Sequence, residues 1–335
     1  MACESKATVV LVAGLGSIGA RHARLLAERP DVRLWLCDPD EARRANAQRE
    51  APRHEKVFAD YEKALAEKPE AVFLATPNSL HVPMALAAIG AGADVLVEKP
   101  ISDSVDAAKR LMAEAERLGR MVQVGYMLRY HPLLEELVRR IQAGEIGQLC
   151  GGTAVVGAYR TLILARTPYR MNEPGALVHD YTHEFDYVRW LFGETASVSA
   201  MSARLGKPEL LPAENIYLIN LRMKSGALVH VHMDYLQHPQ RRVLELYGDR
   251  GEMTADFDSG EIRAFPHGDT WRFEQQQSMP TMLLRDNLYR WQIDDFLRQR
   301  AGARQPRVTA ADGLAATRMA EAAILSAKTR REVEL

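Results

Sequence analysis

Residues 7–19, ATVVLVAGLGSIG, decide the fold of the first part of the chain. A short apolar run leads directly into Gly14-x-Gly16-x-x-Gly19, and helix-forming residues follow. In a dinucleotide fingerprint the first glycine permits a tight turn, the second lets the backbone approach a pyrophosphate, and the third packs the helix on the strand. The helix start also attracts the anion. We predict that a dinucleotide binds at Gly14, Gly16, Ser17, Ile18 and Gly19; alternatively, the glycines only shape a tight turn.

Asp38 extends this fingerprint. It follows the apolar run VRLWLC (32–37) and stands nineteen positions after Gly19. A carboxylate here accepts hydrogen bonds from the adenosine ribose hydroxyls and repels a 2′-phosphate, so Asp38 favours NAD over NADP. Arg43 and Arg44 raise the question of NADP, but they lie a turn into the following helix and are also explained as solvated charges.

Short apolar runs alternate with helical stretches up to Gly125. The runs are ATVVLVA, VRLWLC, AVFLAT, DVLVEKP and MVQVG. This rhythm predicts an α/β Rossmann domain with a doubly wound parallel sheet over residues 1–127. Longer polar–apolar alternation follows, with hairpin turns at 224–226 and 248–251. It predicts a second α/β domain over 128–335 with a large, mainly antiparallel open sheet, closed by helices at 282–300 and 310–328.

Composition excludes several classes of protein. Among 335 residues, 43 Lys and Arg balance 44 Asp and Glu, so no basic field exists to hold a nucleic-acid backbone or an anionic membrane. No window approaches the ~20 continuous apolar residues of a membrane span. The three cysteines lack the paired spacing of a zinc site or a disulfide framework. We therefore expect a cytoplasmic protein with a small-molecule substrate.

Two further motifs carry a family resemblance. They are ATPNSLH (75–81) and Glu98-Lys99-Pro100. With them the chain resembles the Gfo/Idh/MocA oxidoreductases, the glucose-fructose oxidoreductase and inositol dehydrogenase family, and the similarity continues through GYMLRYHP (125–132) and PRVTAADGL (306–314). The resemblance implies a C-terminal domain that binds substrate and whose open sheet commonly forms the oligomer interface. It also implies cofactor contacts from Thr76, Pro77, Asn78, His81, Glu98 and Lys99.

Lys99 is a candidate catalytic residue on physical grounds as well. Parallel sheets of this type bind ligands beyond the carboxyl ends of their strands, which places a lysine there beside the nicotinamide. Its ammonium can hold a substrate hydroxyl and stabilise developing alkoxide charge. The alternative is a surface ion pair with Glu98. In family members with a cis prolyl bond at this motif, that bond places the lysine, and Pro100 is a candidate for the same geometry.

The stretch from Gly175 to Gly193 has apolar residues at helical spacing, interrupted by polar ones. Asp180 and His183 are three residues apart and can meet over one helical turn. A carboxylate fixes the tautomer of an imidazole and raises its basicity, which suits a general base that removes a hydroxyl proton. In the resembling family His183 aligns with the catalytic histidine, whereas the usual acidic position four residues earlier is His179 here. A structural histidine is the alternative for both.

The stretch HDYTH (179–183) also mimics the zincin HExxH motif. We expect no metal site, because Asp is a shorter base than Glu and a dinucleotide already accepts electrons. His230, His232 and Asp234 share one face of a strand, where a polar sheet face or an oligomer interface explains them.

Substrate contacts are predicted beside the histidine stretch. Arg160, Arg166 and Arg170 lie in a loop that precedes it, and arginine forks suit an acidic sugar or a nucleotide sugar; solvated surface charge is the alternative. Tyr126 and Arg129 follow an apolar run at the place where family members contact cofactor or substrate. We also assign His179 to the substrate site.

Together these features predict an NAD-dependent oxidoreductase. It would transfer a hydride between the nicotinamide and a secondary hydroxyl or ketone of a sugar, a sugar derivative or a cyclitol, as a homodimer or homotetramer. A non-catalytic NAD-binding sensor and an NAD-dependent glycosidase are the alternatives within the resembling family.

Overall fold

The computed structural model describes residues 7–158, 175–206, 214–266, 274–277 and 281–335. The chain divides into two compact units. The first comprises Met1–Met127 and Asp286–Thr317, and the second comprises Leu128–Arg285 and Arg318–Leu335. The predicted first domain, residues 1–127, lacks the segment Asp286–Thr317, which also belongs to the first unit.

The first unit is built on a parallel sheet of six strands in the order β3-β2-β1-β4-β5-β6. This order reverses direction beside β1, as in dinucleotide-binding sheets, so the predicted Rossmann architecture is confirmed. The strands are β1 (Thr8–Ala13), β2 (Val32–Cys37), β3 (His54–Phe58), β4 (Ala71–Leu74), β5 (Asp94–Val97) and β6 (Val122–Val124). The helices between them are α1 (Ser17–Ala27), α2 (Glu41–Glu50), α3 (Tyr61–Ala66), α4 (Asn78–Gly90) and α5 (Val105–Leu118).

The sequence pattern missed strand β3. Its sequence, HEKVF, is largely polar, and it lies beside β2 at the edge of the sheet. An edge strand is covered less completely than a central one, so it need not be continuously apolar. By contrast, β1, β4 and β5 are buried almost throughout.

A late segment of the chain completes the first unit. The helix α9 (Thr281–Ala301) enters this unit at Asp286, and its Phe296 packs edge-on against Phe73 with ring centroids 5.0 Å apart. Arg24 on α1 donates to Asp286 at 2.6 Å, and Arg290 donates to Glu28 at 2.9 Å. Apolar contacts and ion pairs therefore hold this helix beside α1.

The second unit contains a nine-stranded sheet in the order β14-β13-β12-β11-β7-β10-β9-β8-β15. Its pairs are antiparallel except β7 with β10, which are parallel. The prediction of a mainly antiparallel sheet is confirmed. The strands are β7 (Leu149–Gly157), β8 (Thr195–Ala203), β9 (Ile216–Met223), β10 (Leu228–Asp234), β11 (Arg241–Gly248), β12 (Gly251–Asp256), β13 (Glu261–Pro266), β14 (Glu274–Gln277) and β15 (Val333–Glu334).

The helices described in the second unit are α6 (Pro132–Gln142), α7 (Ala176–Asp180) and α8 (Thr182–Phe192), after a 3-10 turn at Met127–Tyr130. The helix α10 (Ala310–Thr329) passes from the first unit to the second after Thr317. Along β10, Val229, Val231 and Met233 are buried, whereas Leu228, His230 and His232 are more exposed. One face of the sheet is thus core, as the alternation predicted.

No helix in the described ranges is long and apolar enough to cross a membrane.

His131 makes the stability of the second unit depend on pH. It is fully buried at the N-terminus of α6, its Nδ1 accepts a hydrogen bond from the Leu133 amide at 3.1 Å, and its ring packs against Phe257. Burial, together with the charge of Arg242, lowers its pKa from 6.5 to about 4. The neutral ring is therefore the form that the folded protein stabilises.

Acidification should weaken the fold through this histidine. A depressed histidine pKa contributes stability above pH 6.5 that is lost as the pH falls towards 4, by up to about 3 kcal/mol. His131→Asn keeps a capping acceptor without titrating there. Urea unfolding of both proteins between pH 7 and pH 4 should show a smaller loss of unfolding free energy in the variant. Equal losses would contradict this account.

Candidate active site

The glycine loop between β1 and α1 has the shape that a pyrophosphate needs. Gly14 has a φ of +86°, and a Cβ there would lie 2.6 Å from the Ala75 carbonyl oxygen. At Gly19 a Cβ would lie 1.7 Å from the carbonyl oxygen of Gly14. Gly16 stands directly before α1, and a Cβ there would meet nothing within 4 Å. Two glycines thus serve close packing and the third leaves open space at the helix start, so the loop fits a dinucleotide.

Asp38 joins the glycine loop to the turn after β2. Its carboxylate is buried and accepts hydrogen bonds from the amides of Leu15 at 2.7 Å and Asp40 at 2.9 Å. Arg44 donates to the carbonyl oxygens of Asp38 and Pro39. The Arg44 Nη1 group therefore holds the backbone of this turn.

The ATPN turn after β4 lies next to the lysine motif in the same unit. Thr76 and Pro77 precede α4, which begins at Asn78. The imidazole of His81, one turn into that helix, lies 2.9 Å from the carbonyl oxygen of Thr76 and 2.7 Å from that of Pro100. His81 was predicted to bind cofactor, and its ring nitrogens face two backbone carbonyls.

Glu98 is held inside the first unit. Its Oε1 lies 2.8 Å from Nε2 of the fully buried His22 on α1, and its Oε2 accepts from the Lys99 amide at 3.4 Å. Gly125 packs so closely that a Cβ there would lie 2.8 Å from Glu98 Oε2. Glu98 is therefore a buried carboxylate bonded to a histidine and not a surface group, and the partner of the Lys99 ammonium stays a prediction. The Lys99–Pro100 bond is cis.

The histidine stretch forms two helices, not one. The first helix, α7, ends at Asp180. Tyr181 has φ −108° and ψ 32°, and the second helix, α8, begins at Thr182. The helical spacing of the apolar residues does not indicate this break, which arises because the Tyr181 backbone leaves the helical region. His183 is buried on the first turn of α8, and His179 is half-buried on α7.

The acidic residues of α8 form buried ion pairs. Glu184 accepts from Arg242 on β11 at 2.8 Å, and Asp186 accepts from Arg129 at 2.7 and 2.9 Å. The Arg129 guanidinium also lies over the Trp190 ring, 4.7 Å from its centroid. Each charge is compensated across the unit, so these pairs anchor the helix that carries His183.

Asp180 has a partner that sequence reasoning missed. The hydroxyl of Tyr235 donates to its Oδ2, and the Tyr235 ring lies 5.6 Å from that of Tyr181. Tyr235 comes directly after the end of β10, and its place at a strand end is the local signal that could have marked it as a candidate partner. The bond ties α7 to this sheet, and orientation of His183 by Asp180 stays a prediction.

The other predicted contacts have different outcomes. Tyr126 is fully buried, which gives it a packing role in the first unit, and its contact with a ligand stays a prediction. So does that of Arg129, whose fork is already occupied by Asp186. Arg160, Arg166 and Arg170 lie outside the described residues.

No metal cluster occurs among the described side chains. They contain no group of three or more His, Cys, Asp or Glu that could hold an ion. On β10, His232 lies 2.5 Å from Asp234 Oδ2, and His230 lies 2.9 Å from Asn220 Oδ1 on the neighbouring strand. These contacts agree with a hydrogen-bonded polar face of the sheet.

Comparison with protein families covers both units. Residues 8–126 match the model of an oxidoreductase family with an NAD-binding Rossmann fold, GFO_IDH_MocA, and residues 140–335 match the C-terminal alpha/beta domain of the same family. The chain belongs to the GFO/IDH/MocA oxidoreductase family. The resemblance drawn from the motifs is confirmed, and the first unit of this family member is an NAD-binding domain.

Individual relatives agree with this membership. An inositol 2-dehydrogenase of Corynebacterium glutamicum is 28% identical over 69% of this chain and 68% of its own length. Inositol 2-dehydrogenase 2 of Saccharopolyspora erythraea is 29% identical over 95% of this chain and 92% of its own. Among solved structures, levoglucosan dehydrogenase in complex with NADH and levoglucosan superposes with a TM-score of 0.88 at 19% identity, covering 98% and 99% of the two chains. This GFO/IDH/MocA protein is an NAD-dependent oxidoreductase, as predicted.

Gly19 and Gly16 differ in the space around them, so the same substitution at each gives a matched pair of variants. Gly19→Ala should lower the unfolding free energy by roughly 1–3 kcal/mol or more, because its methyl group meets backbone. Gly16→Ala should change it by less than about 1 kcal/mol, yet weaken NAD binding by roughly tenfold or more, because the methyl group fills the space that the pyrophosphate approaches. Urea unfolding and calorimetric titration with NAD measure the two effects. Full stability of Gly19→Ala would disprove the packing role.

Proposed function

We propose that this enzyme oxidises a secondary hydroxyl of a sugar, a sugar derivative or a cyclitol with NAD, or reduces the corresponding ketone. The observation that carries the proposal is the Glu98-Lys99-Pro100 segment, which follows a central strand of an NAD-binding sheet and is anchored through His22. Ligands of such sheets bind beyond the carboxyl ends of the strands. The names of the inositol and levoglucosan dehydrogenases support the substrate class.

In the proposed reaction, Lys99 and His183 act on the substrate hydroxyl. The Lys99 ammonium donates a hydrogen bond to the oxygen and stabilises the negative charge that develops there. His183 takes the hydroxyl proton at a ring nitrogen, a task suited to a group with an ordinary pKa of about 6.5. NAD, when bound, accepts the hydride from the carbon. When the ketone has formed, His183 holds the hydroxyl proton and then releases it to water.

Other residues complete the proposal. Asp180 orients His183, while His179, Tyr126, Arg129, Arg160, Arg166 and Arg170 contact the substrate. The buried carboxylate of Asp38 supports NAD over NADP, since a 2′-phosphate at this position would meet negative charge. We also propose a cytoplasmic location, which the free thiols of Cys37 and Cys150 support.

Variants of the two catalytic candidates test the reaction. Lys99→Met and His183→Ala should each lower kcat by roughly 10²- to 10⁴-fold, since each removes a group that acts in the transition state. The affinity for NAD should change little in His183→Ala. Appearance of reduced nicotinamide, followed by absorbance with a panel of sugars, sugar acids, inositols and nucleotide sugars, measures turnover.

Matched controls are available for both variants. Lys109→Met removes a lysine that pairs with Asp106 at the surface, and His54→Ala removes a half-buried histidine at the start of β3. Both should retain wild-type turnover. If the wild type binds NAD but reduces none with any substrate, the sensor or the glycosidase gains support. If Lys99→Met remains fully active, its role is wrong.

We further propose that the enzyme is a homodimer or homotetramer that associates through the open face of the nine-stranded sheet. Met201 on β8, Leu228 on β10 and Tyr247 on β11 are exposed by 72%, 57% and 40%, and exposed large apolar residues on a sheet favour an interface.

Multi-angle light scattering should report an oligomer for the wild type. Met201→Glu combined with Leu228→Glu should shift it towards monomer, because charges would then be buried. A monomeric wild type would refute this assembly.

A further inference from the structure

His81 connects two segments of the first unit. The side chain is 1% exposed. Its Nδ1 lies 2.7 Å from the carbonyl oxygen of Pro100, and its Nε2 lies 2.9 Å from that of Thr76. Both distances are those of good hydrogen bonds. One ring therefore spans the ATPN turn and the segment that contains Lys99.

The chemistry of the two contacts fixes the direction of both bonds. A backbone carbonyl oxygen only accepts, so a ring nitrogen bonded to it must donate. The imidazolium form carries both N–H groups and donates both bonds together. Two carbonyl oxygens thus satisfy both donors of such a ring in a buried place.

The bond to Pro100 acts on the residue beside the lysine. On the other side of Lys99, the carboxylate of Glu98 is bonded to His22. The peptide segment that bears Lys99 is therefore fixed at residue 98 through a side chain and at residue 100 through a carbonyl. Rigid support of this kind sets where a catalytic side chain reaches, and a displacement of about 1 Å can cost 10²-fold in rate.

We propose that His81 is a positioning residue with two separable tasks. Its Nδ1 bond to Pro100 sets the position of Lys99 for catalysis, and its Nε2 bond to Thr76 sets the turn that contacts NAD. The role of the first bond rests on the proposed function of Lys99. The role of the second rests on the predicted contact of the Thr76 turn with NAD and does not depend on the role of Lys99.

Two substitutions separate these tasks. Asn places an N–H where Nδ1 stands and loses the bond to Thr76, whereas Gln places an N–H near Nε2 and loses the bond to Pro100. We expect His81→Asn to raise the Kd for NAD by roughly two- to tenfold with kcat near wild type. We expect His81→Gln to lower kcat by roughly 10- to 100-fold with the Kd for NAD near wild type.

The same substitution at another histidine is the control. His54 also has its Nδ1 bonded to a carbonyl oxygen, that of Ala51 at 2.9 Å, and lies in the same unit. His54→Asn should leave both kcat and the Kd for NAD unchanged. If the two His81 variants move the same parameter, or neither moves any, the proposal is overturned.

Two measurements do not require turnover. In protein whose lysines carry ¹³C-methyl groups, the Lys99 signal, identified by its loss in Lys99→Arg, should shift in His81→Gln and not in His81→Asn. The shift of the Lys99 signal does not depend on turnover. A failure of the proposed function can therefore be distinguished from a failure of the positioning role of His81. In ¹⁵N-histidine spectra of the wild type, both His81 ring nitrogens should carry protons; one bare nitrogen overturns the proposal even if the variants do not fold.

Discussion

The close approach of α1 to the glycine loop is the constraint on which the first unit depends. The space between Gly19 and the Gly14 carbonyl admits no Cβ, so the first turn of α1 can lie against β1 only with glycine at this position. That approach brings His22, one turn further along α1, into contact with Glu98 at the end of β5. A packing requirement in the glycine loop therefore extends, through one hydrogen bond, to the residue that precedes Lys99.

In the second unit, buried ion pairs fix the position of α8, whereas in the first unit close packing at a glycine fixes the position of α1. The helix α8 has no polar face over its first two turns, because all of residues 182–188 are buried, Glu184 and Asp186 among them. Each would be costly without a partner in such a place, and each has an arginine. Arg242 comes from a strand and Arg129 from the turn before α6, so the helix is fixed from two directions. His183 is thus placed by residues that have no part in proton transfer.

The local parts of this structure were accessible from the sequence, and the distant partners were not. The glycine loop, the hairpin turns at 224–226 and 248–251 and the closing helices follow from residues near in the chain. Strand β3 was missed because an edge strand lacks the apolar run of a central one. The partners of Glu184 and Asp186 lie 58 and 57 positions away, and no periodicity indicates them. The break at Tyr181 depends on one backbone conformation that the apolar spacing does not encode.

The contribution of Asp286–Thr317 to the first unit bears on biosynthesis. A chain emerging from the ribosome presents all six parallel strands long before it presents α9. Until then, Phe73 and His22 lack the aromatic neighbours Phe296 and Tyr289 that cover them in the finished unit. Domains generally fold as units during synthesis, and this one is complete only when most of the second unit has also been made. The apolar surface of the nascent Rossmann sheet therefore stays uncovered until α9 is translated, after most of the second unit.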